Sequence, residues 1–276
     1  MTGWYLPWAD ICVMMPLLGA GVVMVMRNRS LIALFSLVIS VLTLLVSVVP
    51  WILMLVHPEG PDWDPGFLFQ DEPLFEVDAF SAPMLPLVAL LHTLVVLGTP
   101  RTKATRFSYA GHLVAESLRL ATFACREPRL LVILLVLCTL PTYVEIRLRG
   151  RPSRIFALHM LIFSGLLVVG WLGQEMGASW APALLMAAVL VRSGTVPAHI
   201  WVADLFEQDS FGSALLFAAP LMGFYAAVRL VLPIAPDWVL QGVKFQAHQH
   251  ERGIAEEEVG EESPRLTLHQ GHAGGI

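Results

Sequence analysis

Eight apolar runs, each near the length a helix needs to cross a bilayer, decide what this chain can fold into. They cover about 10–26, 31–56, 80–99, 107–125, 129–146, 155–173, 179–202 and 211–233, and polar residues, proline or glycine separate them. A hydrocarbon core of about 30 Å takes roughly 20 helical residues. Lipid gives backbone N–H and C=O groups no partner, so a spanning segment is a helix or part of a closed barrel, and the period-two alternation of a barrel is absent. Of the 276 residues 56% are apolar and only 14% charged, whereas soluble domains carry roughly a quarter. The fold class is therefore all-α: a polytopic membrane protein of about eight transmembrane helices. The first run follows Asp10 with no lysine or arginine before it and has no small-residue cleavage site after it. It reads as a first span, not as a removable signal.

Lysine and arginine collect in the loops that stay in the cytoplasm. Arg27 and Arg29 follow the first run, Arg101, Lys103 and Arg106 the third, and Arg147, Arg149, Arg151 and Arg154 the fifth. The stretch from His57 to Asp78 has no basic residue and carries Glu59, Asp62, Asp64, Asp71, Glu72, Glu76 and Asp78. The asymmetry predicts that both termini lie outside, and the expected location is an inner, cytoplasmic membrane. Two features run against it: Arg126 and Arg129 after the fourth run, and Asp204, Glu207 and Asp209 before the eighth.

After Trp238 the composition turns polar and acidic, with Glu256, Glu257, Glu258, Glu261 and Glu262 close together. Such a segment cannot bury a core and is expected to be disordered. Its histidines, His248, His250, His269 and His272, are scattered along a solvated tail instead of forming a metal tract. Cys12, Cys125 and Cys138 lie in or beside apolar runs with no CxxC spacing, which points to buried thiols and away from a cluster or a disulfide frame. No basic patch with interleaved aromatics suggests nucleic acid as a partner.

Ionisable residues inside the runs are few: Glu116 and Arg119 in the fourth, Arg192 and His199 in the seventh, Arg229 in the eighth, and Glu145 near a membrane end. An arginine at a helix centre costs about 2.5–3.5 kcal/mol by insertion scales, so each needs a partner, water or a route to the interface. Glu116 and Arg119 stand three apart on one face and can neutralise each other. Arg192 has no such neighbour and is the better functional candidate. His92 and His159 read as lone core or interface histidines, and Arg229 as a side chain that reaches the headgroups. Beyond Arg192, Gly194 and Pro197 can break or kink the seventh helix next to His199. Two readings are open for that break: a kink kept for packing, or an ion site built on exposed helix ends.

The stretch VRSGTVPAHIWVADLFEQDSFGSALLFAAPLMGFYAAVRLVLP resembles the signature region of the antiporter-like, proton-conducting membrane subunits of respiratory complex I. These are chains of the L, M and N type, related to multi-subunit cation/proton antiporters and membrane-bound hydrogenases. Pro197, His199, Trp201 and Asp204 fall in step with that family's PxHxWLPDAH-like run, and Gly223, Tyr225 and Arg229 with its next helix. LFEVDAFSAPMLPLVALLHTL is similar to the family's entry into its third helix through Val77, Asp78 and Ser81, and LPTYVEI to its fifth through Pro141 and Tyr143. Counting from these anchors, Arg192 stands at the family's lysine, Val136 at its glutamate and Leu221 at a second lysine. Arginine keeps its proton at physiological pH, so it holds charge but releases protons poorly.

The resemblance implies a membrane subunit that contributes to proton or cation translocation coupled to quinone-linked electron transfer. Quinone and redox cofactors would sit in partner subunits, and the partners would be other membrane subunits and the bilayer. It divides the chain into a three-helix segment at 1–106, a five-helix antiporter-like repeat at 107–238 and a tail at 239–276. The family normally carries two such repeats, so a truncated product of a longer gene is one reading of the length. The proton-path candidates are Arg192, His199, Glu116 and Asp204, with Glu116 as a possible substitute partner for Arg192. Pro197, Trp201, Asp78, Pro141, Gly223, Tyr225 and Arg229 hold structural motif positions. The alternative is a non-conducting scaffold subunit, or a partner of an ion or inorganic-carbon transporter. Nothing resembles a nucleotide loop, cluster ligands or a nucleophile with its base, so no residue is assigned to a metal, a cofactor or catalysis.

Overall fold

The structure is a computed structural model that describes residues 7–56, 75–99, 107–195 and 198–234. Most of the acidic stretch after the second run, the Arg101–Arg106 loop, Pro197 and the tail beyond residue 234 lie outside the described residues. Among the described residues eleven α-helices follow the eight apolar runs. They are α1 (Trp8–Val25), α2 (Arg29–Val56), α3 (Met84–Gly98), α4 (Tyr109–Ala124), α5 (Pro128–Leu137), α6 (Leu140–Leu148), α7 (Arg154–Glu175), α8 (Ala181–Arg192), α9 (Ile200–Gln208), α10 (Phe211–Ala218) and α11 (Leu221–Ala226). The last continues as a π-helical turn at Ala227–Val231 and a 3-10 turn at Leu232–Ile234. Five helical stretches are long and apolar enough to cross a membrane, and α3 and α8 are shorter apolar helices. Among the described residues there is no strand. The protein is an all-α, multi-pass membrane protein. Its contacts divide it after Leu230, and the helices up to that point form one unit.

The runs at 129–146, 179–202 and 211–233 are each interrupted. Proline accounts for two of the interruptions, because it lacks an N–H and clashes with the preceding turn. Pro141 sits in the first turn of α6, just past the α5 end at Cys138, and Pro220 separates α10 from α11.

α4 lies at the centre, packed by α1, α2, α3, α5 and α6. It carries His112, Glu116, Ser117, Arg119 and Thr122, all buried. A helix this polar is unsuited to facing lipid, and its neighbours keep lipid away. One neighbour, α2, reverses the usual inside-out pattern of a soluble protein. On α2 the fully buried face is Ser36, Ser40, Thr43 and Ser47, while Leu34, Val38, Leu42 and Leu45 point outward. Hydroxyls turn inward because lipid cannot hydrogen-bond them, and small residues let helices approach closely. Thr43 and Ser47 return their hydroxyls to Ile39 and Leu44 carbonyls of their own helix at 2.9 and 2.8 Å.

Polar contacts show which helix ends share a membrane face. At one end the Glu76 N–H bonds the Ala124 carbonyl at 2.8 Å, Arg126 pairs with Glu76, Arg129 meets Glu175 at 3.3 Å, and Arg229 meets Asp78. At another, Arg149 pairs with Glu145 and lies 3.7 Å from Asp209. The ends of alternate spans thus meet, as up-and-down connectivity requires. Part of each charge anomaly has a local cause: Arg126 and Arg129 balance carboxylates at their own end, and Asp209, of the three acids before the eighth run, answers an arginine of the basic fifth loop. Single-cysteine labelling in sealed vesicles checks this. Arg126→Cys and Glu175→Cys should react with an impermeant maleimide from one side and Arg151→Cys from the other, over a low background because the native thiols are buried.

Candidate functional site

The break between α8 and α9 is built by Gly194. Its φ of +66° places it in the left-handed region, where a side chain costs about 1–2 kcal/mol. The Thr195 N–H reaches the Leu190 carbonyl and the Gly194 N–H the Val191 carbonyl, both at 3.2 Å, the pairing of a Schellman helix end. The Trp201 indole N–H, from α9, adds a 3.0 Å bond to the Val191 carbonyl. Trp201 is fully buried and packs with Phe156 and Phe217. The Trp201 bond ties α9 to the end of α8, and the Leu190 and Val191 carbonyls freed by the break are answered by this chain's own donors.

Arg192 is the last residue of α8 and is buried. Its guanidinium donates to the Phe217 carbonyl at 3.0 Å and lies 4.0 Å from the Phe217 ring centroid and 5.8 Å from that of Trp201. It thus satisfies a free carbonyl at the C-terminal, partly negative end of α10 and rests on aromatic faces. Among the described residues no carboxylate lies within ion-pair distance of it. A Cβ on Gly223 would run into Ser193 Oγ, so glycine there lets α11 close on the end of α8.

Asp78 and Arg229 form a second centre. Asp78 Oδ1 accepts from the Phe80 and Ser81 N–H groups at 3.2 and 2.8 Å, and Ser81 Oγ accepts the Asp78 N–H at 2.9 Å. This reciprocal turn feeds α3 in the manner of a capping box. Oδ2 receives Arg229 at 2.5 Å, and the guanidinium also lies 5.3 Å from the Tyr225 ring and 5.7 Å from that of Phe80. Arg229 thus reaches Asp78 and not lipid headgroups, because the turn before α3 brings a carboxylate to it. Tyr225 is buried and donates to the Phe123 and Cys125 carbonyls at 3.0 and 3.3 Å, closing the end of α4.

The third centre lies among α2, α3 and α4. His92 is not alone: its Nδ1 lies 3.2 Å from His112 Nε2, and Arg119 Nη1 reaches its Nε2 at 2.7 Å. Glu116 accepts the Ser40 hydroxyl at 2.8 Å through Oε2, while Oε1 is buried with no partner. The expected Glu116–Arg119 neutralisation is not a direct ion pair, since Arg119 turns to the imidazole. Glu116 and Arg192 likewise have separate hydrogen-bond partners. A narrow cavity with room for roughly one water is lined by His112, Arg119, Pro141, Thr142, Glu145 and Ser213. His199, by contrast, is exposed at the start of α9, and Asp204 is half-buried with Oδ2 unpartnered. His159 bonds the Ile155 carbonyl of its own helix at 2.9 Å. Sequence reading missed Ser40, His112 and the pairing of His92. The 112, 116, 119 spacing on one face of α4 was visible; the partner helices were not.

Two outcomes follow. Gly194→Ala, with strained backbone and Val202 in the way of its Cβ, should destabilise the protein by about 2 kcal/mol in thermal unfolding in detergent. For Asp78, burial raises the carboxyl, but the Ser81 N–H, Arg229 and the Ser81 hydroxyl outweigh it and hold the group below the ordinary aspartate value. Its folded pKa is below its unfolded one, so its stabilisation is complete above the ordinary range and is lost as the pH falls through the lowered pKa. Asp78→Asn should be less stable than the native chain at neutral pH, and the difference should shrink on acidification.

No family model matches the chain. It is similar to NAD(P)H-quinone oxidoreductase chain 4, chloroplastic, of Phaseolus vulgaris, 25% identical over 185 residues that make up 56% of this chain and 37% of the relative. Against chain 4 3 of Trichormus variabilis the identity is 26% over 189 residues, 58% of this chain and 35% of the relative. Against the chloroplastic chain 4 of Daucus carota it is 23% over 266 residues, 82% and 52%. The chain spans between about a third and a half of the length of these relatives.

Proposed function

We propose that the chain is a membrane subunit of a quinone-linked, ion-translocating assembly of the NAD(P)H-quinone oxidoreductase type, set in an inner, cytoplasmic membrane with both termini outside. It contributes to proton movement, while quinone and redox cofactors belong to partner subunits. The observation that carries this reading is the set of ionisable groups kept away from lipid along the bundle interior: Glu116, His92, His112, Arg119 and Glu145, with Asp209 at the membrane end. Burying them is expensive, and function is the usual reason for keeping them. The similarity to chain 4 proteins points to the kind of assembly.

One observation favours the scaffold reading at one place. Arg192 is satisfied by a carbonyl and two rings, so it acts as a fixed cap on the end of α10 and carries no exchanging proton. Affinity purification of the tagged full chain in mild detergent tests the proposal. Other membrane subunits and quinone reductase activity should co-purify, and vesicles of that assembly should acidify on adding NAD(P)H and quinone. Glu145→Gln should slow acidification by about tenfold or more with assembly intact, and Arg192→Ala should lower the yield of assembled complex. A chain that purifies alone, or an assembly that moves no protons, overturns the reading.

A further inference from the structure

His92 on α3 and His112 and Glu116 on α4 are buried and place one nitrogen or oxygen each within 4.8 Å of one another. Two imidazoles and a carboxylate at this spacing match the donor set of a divalent cation, but Arg119 decides otherwise. Arginine only donates, so His92 Nε2, at 2.7 Å, is the acceptor and the ring proton sits on Nδ1. That Nδ1–H faces His112 Nε2 at 3.2 Å. The two nitrogens that a metal would bridge already hold a proton between them.

His112 Nε2 has a second neighbour, the His92 carbonyl oxygen at 3.1 Å. A neutral His112 accepts from His92 Nδ1–H, and a protonated His112 donates to the carbonyl. In the charged state the His112 ring must turn its Nε2–H toward the carbonyl and off the His92 Nδ1–H, which then gives up its acceptor. Glu116 stands one turn along α4 from His112, with Ser40 on Oε2 and nothing on Oε1. A buried, unpartnered carboxylate oxygen is stabilised by a proton or by a water.

We propose that Glu116 and His112 form the proton-holding site of this chain. One proton passes from the Glu116 carboxyl to the His112 imidazole through a single water, which gives up one proton as it takes the other, leaving carboxylate and imidazolium; the return step reverses this. The net charge is unchanged. Arg119 and His92 are positioning residues that set the tautomer His112 meets. The inference rests on the ion-translocating reading above and moves the exchanging proton from α8, where Arg192 keeps its own, to α4. Charged or titratable groups on α4 and the elements packed against it include Tyr109 on α4, Asp10 and Cys12 on α1, Arg29 on α2, Arg129 on α5, and Tyr143, Glu145 and Arg147 on α6; Cys138 between α5 and α6, Arg192 on α8 and Asp209 before α10 also act electrostatically on Arg119 or Arg192. A cavity with room for roughly one water separates His112 from Glu145, whose carboxylate pairs with Arg149.

Infrared difference spectra of the full chain in lipid vesicles after a temperature jump test this, because a transfer inside the pair binds and releases no net proton and a pH step does not drive it. A carboxylic-acid C=O band should change together with imidazole bands of opposite sense. Glu116→Gln should abolish the first, His112→Asn the second, and Ser40→Ala, which retains both titrating groups, should shift the C=O band. Unaltered spectra in these variants overturn the proposal, as does zinc retained at one per chain and released by His112→Asn. In vesicles of the assembly His112→Asn should slow acidification by at least about tenfold. Proton movement without the infrared changes defeats the site but leaves the translocation reading standing. Infrared changes without proton movement establish the site and defeat that reading.

Discussion

Everything in this bundle is arranged around the need to keep the charges of α4 out of lipid. Arg119, Glu116 and His112 on a single helix cost several kcal/mol each if they face hydrocarbon. α1, α2, α3, α5 and α6 enclose that helix. The serines of α2 face inward for the same reason, and one of them, Ser40, becomes a ligand of Glu116. The neighbours of α4 are therefore selected for hydrogen-bonding capacity on one face and for lipid compatibility on the other.

The interruptions obey the same accounting at the level of the backbone. Where α8 stops, Gly194, Trp201 and Thr195 take up the freed carbonyls. At the end of α10 Arg192 takes one, and where α4 ends Tyr225 takes two. Several motif positions of the eighth and ninth helices thus act as caps on other helices. A residue in such a role is tied to a carbonyl that sequence spacing does not reveal.

The sites differ in how legible they were. The fold class and the rough extent of the runs could be read directly, since hydropathy over about 20 residues reports membrane crossing, but the interruptions before Pro141 and at Pro220 were not read. The break after Arg192 was legible in Gly194, whose left-handed backbone the structure contains, while Pro197 lies outside the described residues. The fates of Arg229 and His92 were not legible. Arg229 meets Asp78, 151 positions away, and His92 meets Arg119 across two helices. Both had looked solitary because spacing along one helix is the only pairing rule available before packing is known.

The amino-acid sequence by itself determined that this chain spans a membrane as helices, roughly where its apolar runs lie, that one of them breaks after Arg192, and which ionisable residues must be sheltered, because these follow from local hydropathy and backbone chemistry. Tertiary structure alone decided who shelters whom. It gave Arg192 a carbonyl, Arg229 a carboxylate, and His112 a neighbour that accepts or donates in turn. The physical reason is that in lipid a polar group takes whichever partner the packed helices bring within 3 Å or so, and that distance is set by contacts between segments far apart in the chain.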